Sequence, residues 1–354
     1  MMAGDGLLVR VRPPLGRLTI AQAAGLAEAA RRHGNGLIDL TNRAALQIRG
    51  VTEPGHRPLL EQLIALDLTD PDPARETRHN LVLTPDWSTG DDTENIARSL
   101  LAALDRLPDL PAKIGIAIDA GPAPGLTHVP ADFRIERSAT GTLLLRAEGH
   151  ALGASTSAET AVQDLIALSR WFLATGGALS GRMARHKAPL PLTSGVAPAS
   201  PRPLQQLLAQ APGPFHGIAF GQLDADSLAA LTEQPGVTAL RLTPWRGLIL
   251  EGGLANPGHA LSDPLLRVDA CPGAPACPQA SVATRDLAAR LAPLVEGALH
   301  LSGCAKGCAR PKPADIVLTG QDGRFDLARK ACAGSPPETA GLTPDQILAL
   351  LGKS

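Results

Sequence analysis

Residues 38–51 read IDLTNRAALQIRGV and residues 240–253 read LRLTPWRGLILEGG, and the second stretch follows the grammar of the first. Thr41 falls on Thr243, Arg43 on Trp245 and Gly50 on Gly252. Each stretch alternates apolar residues on both sides of a turn, the pattern of two strands that bury one face. Each also follows a helix. LTIAQAAGLAEAARRHGNG precedes the first, with Thr19 and Gln22 spaced as a capping box, Ile20, Ala23, Ala24, Ala27 and Ala30 as one apolar face, and Gly34 as a stop. HGIAFGQLDADSLAALTEQPG precedes the second, with Asp224 as the cap and Pro235 and Gly236 as the stop. The interval is too long for a stacked repeat, so the pattern predicts one duplicated half-domain whose copies pair.

Between and after the copies lie two further blocks. The first contains the strand-like KIGIAIDAG and a helical SAETAVQDLIALSRWFLATGG; the second contains a cysteine-rich region and SVATRDLAARLAPLVEG, read as a helix from Ser281. The predicted division is a half-domain over 1–75, an α/β block over 76–186, a proline-rich connector over 187–214, a second half-domain over 215–262 and a second α/β block over 263–354. The fold class is α+β, built by internal duplication.

Composition narrows the function. With 354 residues the chain can bury large cores, and a net charge of -1 argues against a general polyanion binder. Aromatic residues make up only 2% and tyrosine is absent, which removes the stacking platform of single-stranded nucleic-acid binders. No uninterrupted apolar run of membrane-spanning length occurs, and the N-terminus lacks the pattern of a secretory signal, so a soluble cytoplasmic chain with no nucleic-acid or membrane partner is expected. The first fifty residues are nevertheless locally basic, with arginines at 10, 12, 17, 31, 32, 43 and 49.

Four of the five cysteines form the pattern C-x5-C-x26-C-x3-C: Cys271 and Cys277 in CPGAPAC, then Cys304 and Cys308 in GCAKGC. Zinc usually takes gaps of two to four within a pair, whereas iron–sulfur clusters accept four thiolates at varied spacing. Ordinary buried thiols and zinc remain alternatives, but thiols paired in proline- and glycine-rich loops favour a cluster. Cys332 stands outside the pattern and reads as a structural thiol.

On these residues the chain resembles the sulfite and nitrite reductase superfamily. LTNRAALQIRGV resembles its T-x-R-x-x-x-Q-x-x-G segment, LPAKIGIAID its LP-x-K-F segment, and the Arg78-His79-Asn80 triplet stands near an expected Arg-Asn pair. Within the superfamily, GLLVRVRPPLGRLT and LSGCAKGCARPKPADIVLTG resemble the precorrin-3B synthase family of aerobic cobalamin biosynthesis. That resemblance implies a monooxygenase that hydroxylates the tetrapyrrole precorrin-3A with dioxygen and closes a lactone. It implies a 4Fe-4S cluster on the four cysteines, with Cys308 nearest the macrocycle, and an association with a mononuclear non-haem iron. Reduced nicotinamide would be the ultimate electron donor. No G-x-G-x-x-G follows a strand, so electrons are expected through an external carrier.

The implied alternative is a siroheme-dependent sulfite or nitrite reductase. Those enzymes surround a small anion with four basic side chains; two correspond to Arg43 and Lys113, the third to His79 with Arg78 displaced by one, and the fourth to Gly115. Half a quartet favours a carboxylate-bearing tetrapyrrole, which wants arginine forks. Arg43, Arg49, Arg78, His79, Asn80 and Lys113 are therefore the expected substrate-binding residues. The scattered histidines supply no 2-His-1-carboxylate spacing, and His79 is a candidate only through its place in the expected pocket. A third reading, outside enzymes, is a tetrapyrrole carrier.

Overall fold

The computed structural model describes residues 2–191, 195–255 and 258–352; the connector positions 192–194 lie outside them. The first half contains β1 (Met2–Ala3), β2 (Gly6–Val11), β3 (Arg17–Thr19), α1 (Ile20–His33), β4 (Leu37–Leu40), β5 (Leu46–Val51) and α2 (Glu53–Ala65), followed by α3 (Pro73–Arg78). The first block contains β6 (Leu81–Leu83), α4 (Asp92–Ala102), β7 (Ile116–Asp119), β8 (Phe133–Arg137), β9 (Leu143–Ala147), β10 (Ala154–Thr156), α5 (Ala161–Ala174) and α6 (Gly177–Ser180). After α7 (Leu204–Ala209), the second half brings β11 (Phe215–Gly217), β12 (Gln222–Asp224), α8 (Ala225–Thr232), β13 (Ala239–Leu242) and β14 (Gly247–Glu251). The second block closes the chain with β15 (Val268–Ala270), α9 (Arg285–Leu291), β16 (Leu299–Ser302), β17 (Ala314–Gln321), β18 (Arg324–Ala331), β19 (Thr339–Leu342) and α10 (Pro344–Leu351).

The two halves exchange strands. The first sheet runs β1-β2-β5-β4-β12 and the second β11-β14-β13-β3, so each sheet ends on a strand from the other half. The turn before each exchanged strand has the same backbone: Leu15 at φ 57° before β3, and Phe220 at φ 57° before β12. Each exchanged strand then delivers a helix cap. Thr19 makes the capping box with Gln22 that opens α1, and Asp224 accepts from the Ser227 N–H to open α8. The hairpin turns match as well, with Ala44 at φ 49° and Arg246 at φ 54°. Val9, Val11, Ile38, Leu46 and Ile48 bury one face of the first sheet in the same core as Leu26, Ala27 and Ala30 of α1 and Leu228 of α8. On α1 the buried face differs from the expected one: Ala24 is exposed, and Leu26 and Ala29 are buried instead.

The blocks are duplicated too. In each, two parallel pairings precede two antiparallel ones, β6-β7-β8-β9-β10 in one sheet and β15-β16-β17-β18-β19 in the other. This relation was not visible in sequence. It places the loop after β7 where the second block carries its Cys304–Cys308 loop.

One expectation needs correction. The helix read from Ser281 opens only at Arg285. Residues 281–284 are held out of it, because the Ser281 N–H donates to the Gly303 carbonyl and the Thr284 hydroxyl to the Cys271 carbonyl. The proline-rich connector is also more than a linker. It contains α7, bridges Val196 to Gly153, and seats Arg202 against the loop after β7, where its guanidinium donates to Asp86 at 2.7 Å and to the Ala123 carbonyl at 2.8 Å. Where the second block has cysteines, the first block is plugged by a buried Asp86–Arg202 pair. Breaking such a pair strands a buried charge. Arg202→Ala is expected to lower stability by about 3 kcal/mol in chemical denaturation, whereas Arg57→Ala, at an exposed i,i+4 pair with Glu61, stays within about 0.5 kcal/mol.

Candidate functional site

Alternation in the first sheet turns its polar residues away from the core. Across the strands, Arg10 of β2 stands beside Gln47 of β5, Gln47 beside Asp39 of β4, and Asp39 beside Gln222 of β12. Gln222 donates to Asp39 at 2.6 Å, and Arg49 donates to Asp39 at 2.6 Å and to Asp5 at 2.8 and 2.9 Å. The corresponding row of the second sheet is Phe215, Ile249, Arg241 and Arg17. Its cross-strand pair has the charges inverted, Arg241 with Glu251 in place of Asp39 with Arg49. That row is closed. Arg17 and Arg241 both clamp Glu251, pulling its pKa down to about 2, and Arg241 lies 4.0 Å from the centroid of the Trp87 ring. One copy of the duplicated face is thus filled by its own side chains.

The open face meets the cysteines through Arg285. This residue follows Thr284, whose hydroxyl holds the Cys271 carbonyl, and its guanidinium lies 4.0 Å from Asp39. Burial lowers its pKa, as does Arg49, while Asp39 and Cys271 act in the opposite direction. Arg285 therefore stands between the sheet face and the first thiol. Sequence reading missed it, although its place directly after the cysteine loop was a usable signal.

The cysteine loops interlock by backbone contact. Gly303 donates its N–H to Cys271 Sγ at 3.1 Å, Ser281 donates to the Gly303 carbonyl at 2.9 Å, and Cys277 donates to the Gly273 carbonyl at 2.8 Å. A Cβ on Gly303 would lie 2.5 Å from that of Ala280, so only glycine allows this approach. Cys304 follows β16, and the Ser302 hydroxyl donates to its carbonyl. The Cys308 thiol is held above its usual pKa by partial burial and by Cys304, Cys271 and Cys277, against the Lys306 ammonium. The four cysteines thus share one electrostatic neighbourhood, and a backbone N–H already points at sulfur, as it does at cluster thiolates. The donor set fits an iron–sulfur cluster. Cys332 is apart from the set, its thiol 3.8 Å from the Pro311 carbonyl. Among the described residues, the four cysteines included, no group of three or more histidine, cysteine, aspartate or glutamate side chains is placed so as to hold a metal ion, and no ligands for a mononuclear iron are assigned.

The other expected site residues fall into two places. Arg43 donates to the Lys113 carbonyl at 2.9 Å, and Arg182 reaches the same oxygen at 3.3 Å. Burial lowers the Arg43 pKa, as do Arg182, Arg10 and Arg12, against Asp132; of these neighbours Arg182 is paired with Asp132 at 3.0 Å and Arg12 with Glu76 at 2.8 Å. Arg10, Arg12 and Arg182 add to the set read from sequence. Arg78 turns elsewhere: it pairs with Asp109 at 2.8 Å and lines a cavity of about 200 Å³ together with Asn80 and Pro111. Asn80 donates to the Ile114 carbonyl and so ties the start of β6 to the segment before β7. Arg49 has its donors engaged by Asp5 and Asp39, which makes it the anchor of the sheet face.

His79 is buried beside Arg12, and burial with that neighbouring charge lowers its pKa to about 4. The ring is neutral at pH 7. Between pH 6.5 and 4 the unfolded chain takes up a proton that the folded chain refuses, so His79 makes stability fall on acidification through that window, by up to about 1.4 kcal/mol per pH unit. Denaturation midpoints of His79→Gln are expected to depend less on pH between 6.5 and 4.5 than those of the unaltered protein; parallel curves would contradict this.

Residues 1–66 match the family described as the nitrite/sulfite reductase ferredoxin-like half domain. A precorrin-3B synthase from Sinorhizobium sp is 33% identical over 382 aligned positions, which span 95% of this chain and 82% of that protein. Among solved structures, the Mycobacterium tuberculosis NirA protein superposes with a TM-score of 0.64 at 18% identity, covering 98% of this chain and 79% of that one. The architecture is accordingly the duplicated sulfite/nitrite reductase-like α+β fold.

Proposed function

Since this chain belongs to the precorrin-3B synthase family, we propose that it is a monooxygenase which hydroxylates precorrin-3A, one oxygen atom of dioxygen entering the macrocycle and the other leaving as water with two electrons and two protons. A lactone then closes from a ring acetate. The observation that carries the reading is the adjacency of the four-cysteine cradle to an arginine-lined sheet face, joined through Arg285.

Dioxygen reacts slowly with closed-shell molecules, and a 4Fe-4S cluster on Cys271, Cys277, Cys304 and Cys308 would supply electrons one at a time. The protein's own residues bind and orient. Arg12 and Arg182 are already paired with Glu76 and Asp132, so Arg10 and Arg43 beside them are the cations that the acetates and propionates of a tetrapyrrole would take up through charge-assisted hydrogen bonds. Gln47 offers a neutral donor beside Arg10 on the sheet face. Electrons would come from an external carrier reduced by nicotinamide.

The same cradle could serve a siroheme-dependent reductase, but its third basic position is the neutral His79 and its fourth is Gly115. Two of the four positions expected around a small oxyanion thus carry no cation.

Turnover of precorrin-3A under air with a reducing system, and none under argon, is the expected result. An intense Soret band from stoichiometric tetrapyrrole in the purified protein would point to the reductase, and binding without turnover by cluster-loaded protein to a carrier. Arg43→Ala should weaken precorrin-3A binding by tenfold or more, about 1.4 kcal/mol, with iron content intact. Alanine at any of the four ligand cysteines should lose iron and activity together, while Cys332→Ala keeps both.

A further inference from the structure

Strand β16 buries both of its faces. Leu299 and Leu301 point into the apolar core shared with α9 and α10. His300 and Ser302 point the other way, onto a face where His300 stands between Asp269 of β15 and Val317 of β17. The loops around the cysteines cover that face. Ser302 holds the Cys304 carbonyl, Arg310 donates to Asp269 at 2.8 Å, and the Gly334 N–H donates to the Thr319 hydroxyl at 3.2 Å.

His300 is fully buried there, and neither ring nitrogen has a hydrogen-bond partner. A neutral imidazole carries one donor and one acceptor, and buried polar atoms seldom go unpaired. The ring abuts the floor of the Cys304–Cys308 loop: a Cβ on Gly307, between those cysteines, would lie 3.7 Å from its Cε1. The facing groups keep it neutral, since burial and the Arg310 and Arg246 guanidiniums lower its pKa to about 4, while Asp269 is engaged by both arginines.

We propose that His300 is a positioning residue for the cluster, donating its ring N–H to a sulfur of the group held by the Cys304–Cys308 loop and thereby raising the reduction potential of that group. The proposal rests on the cluster reading of the four cysteines. Hydrogen bonds to cluster sulfur stabilise the reduced, more negative state, so their loss makes reduction harder.

Iron and sulfide are first counted in anaerobically prepared wild-type, His300→Gln and His300→Leu proteins, and each midpoint potential is then measured by EPR-monitored redox titration. His300→Leu, which has no donor, is expected to lower the reduced-to-oxidised ratio at the wild-type midpoint about tenfold, a shift of ~59 mV for a one-electron couple. His300→Gln keeps an N–H and should shift by less than half as much. A cluster-loaded leucine variant with the wild-type midpoint overturns the proposal. Should leucine prevent folding, pulsed EPR of the reduced wild-type protein carrying 15N-histidine decides: a resolved imidazole nitrogen coupling supports the assignment, and its absence overturns it. Wild-type protein with no cluster overturns the reading of the cysteines and this proposal with it, whereas an intact cluster indifferent to His300 overturns this proposal alone.

Discussion

Neither half-domain sheet is complete without a strand from the other half. β3 finishes the second sheet and β12 the first, and each exchanged strand runs straight into a capped helix, α1 or α8. Unpaired strand edges and uncapped helix ends are both unfavourable, so either half alone would leave several backbone groups unsatisfied. The exchange therefore fixes the relative placement of the two sheets. It also places Gln222, which comes from the second half, on the polar face of the first, where it bonds to Asp39.

From that frame the two copies diverge in opposite directions. The cross-strand pair survives in both with its charges inverted, Asp39 with Arg49 in one and Arg241 with Glu251 in the other. What surrounds the pair differs: Arg10 and Gln47 on one face, Phe215 and Ile249 on the other. The blocks repeat this asymmetry, one holding thiols in its loop after β16 and the other receiving Arg202 in the loop after β7. A duplicated scaffold has kept one site open and filled its twin with ion pairs and a tryptophan.

Much of this was legible in the chain itself. The matched stretches around Thr41 and Thr243 announced the duplicated halves, and the capping residues Thr19 and Asp224 marked the helix starts, because these signals are local. The pairing of the four cysteines in glycine- and proline-rich loops is likewise a local signal, and folding brings those loops together. Strand exchange was not readable, since a three-residue strand such as β3 has no periodicity to reveal its partner. The duplication of the blocks was hidden because it is kept in strand order rather than in residues. Arg78 and Arg49 show the limit for candidate site residues: Asp109 and Asp5, distant in sequence, decide where these two guanidiniums go. Arg182 and Arg285 join the site only through folding.

The central claim is that the interlocked cysteine loops hold an iron–sulfur cluster beside the arginine-lined face. Iron, acid-labile sulfide and zinc analysis of anaerobically purified protein tests it most directly. The account predicts about four iron and four sulfide per chain with little zinc. One zinc per chain, or iron without sulfide, would contradict it.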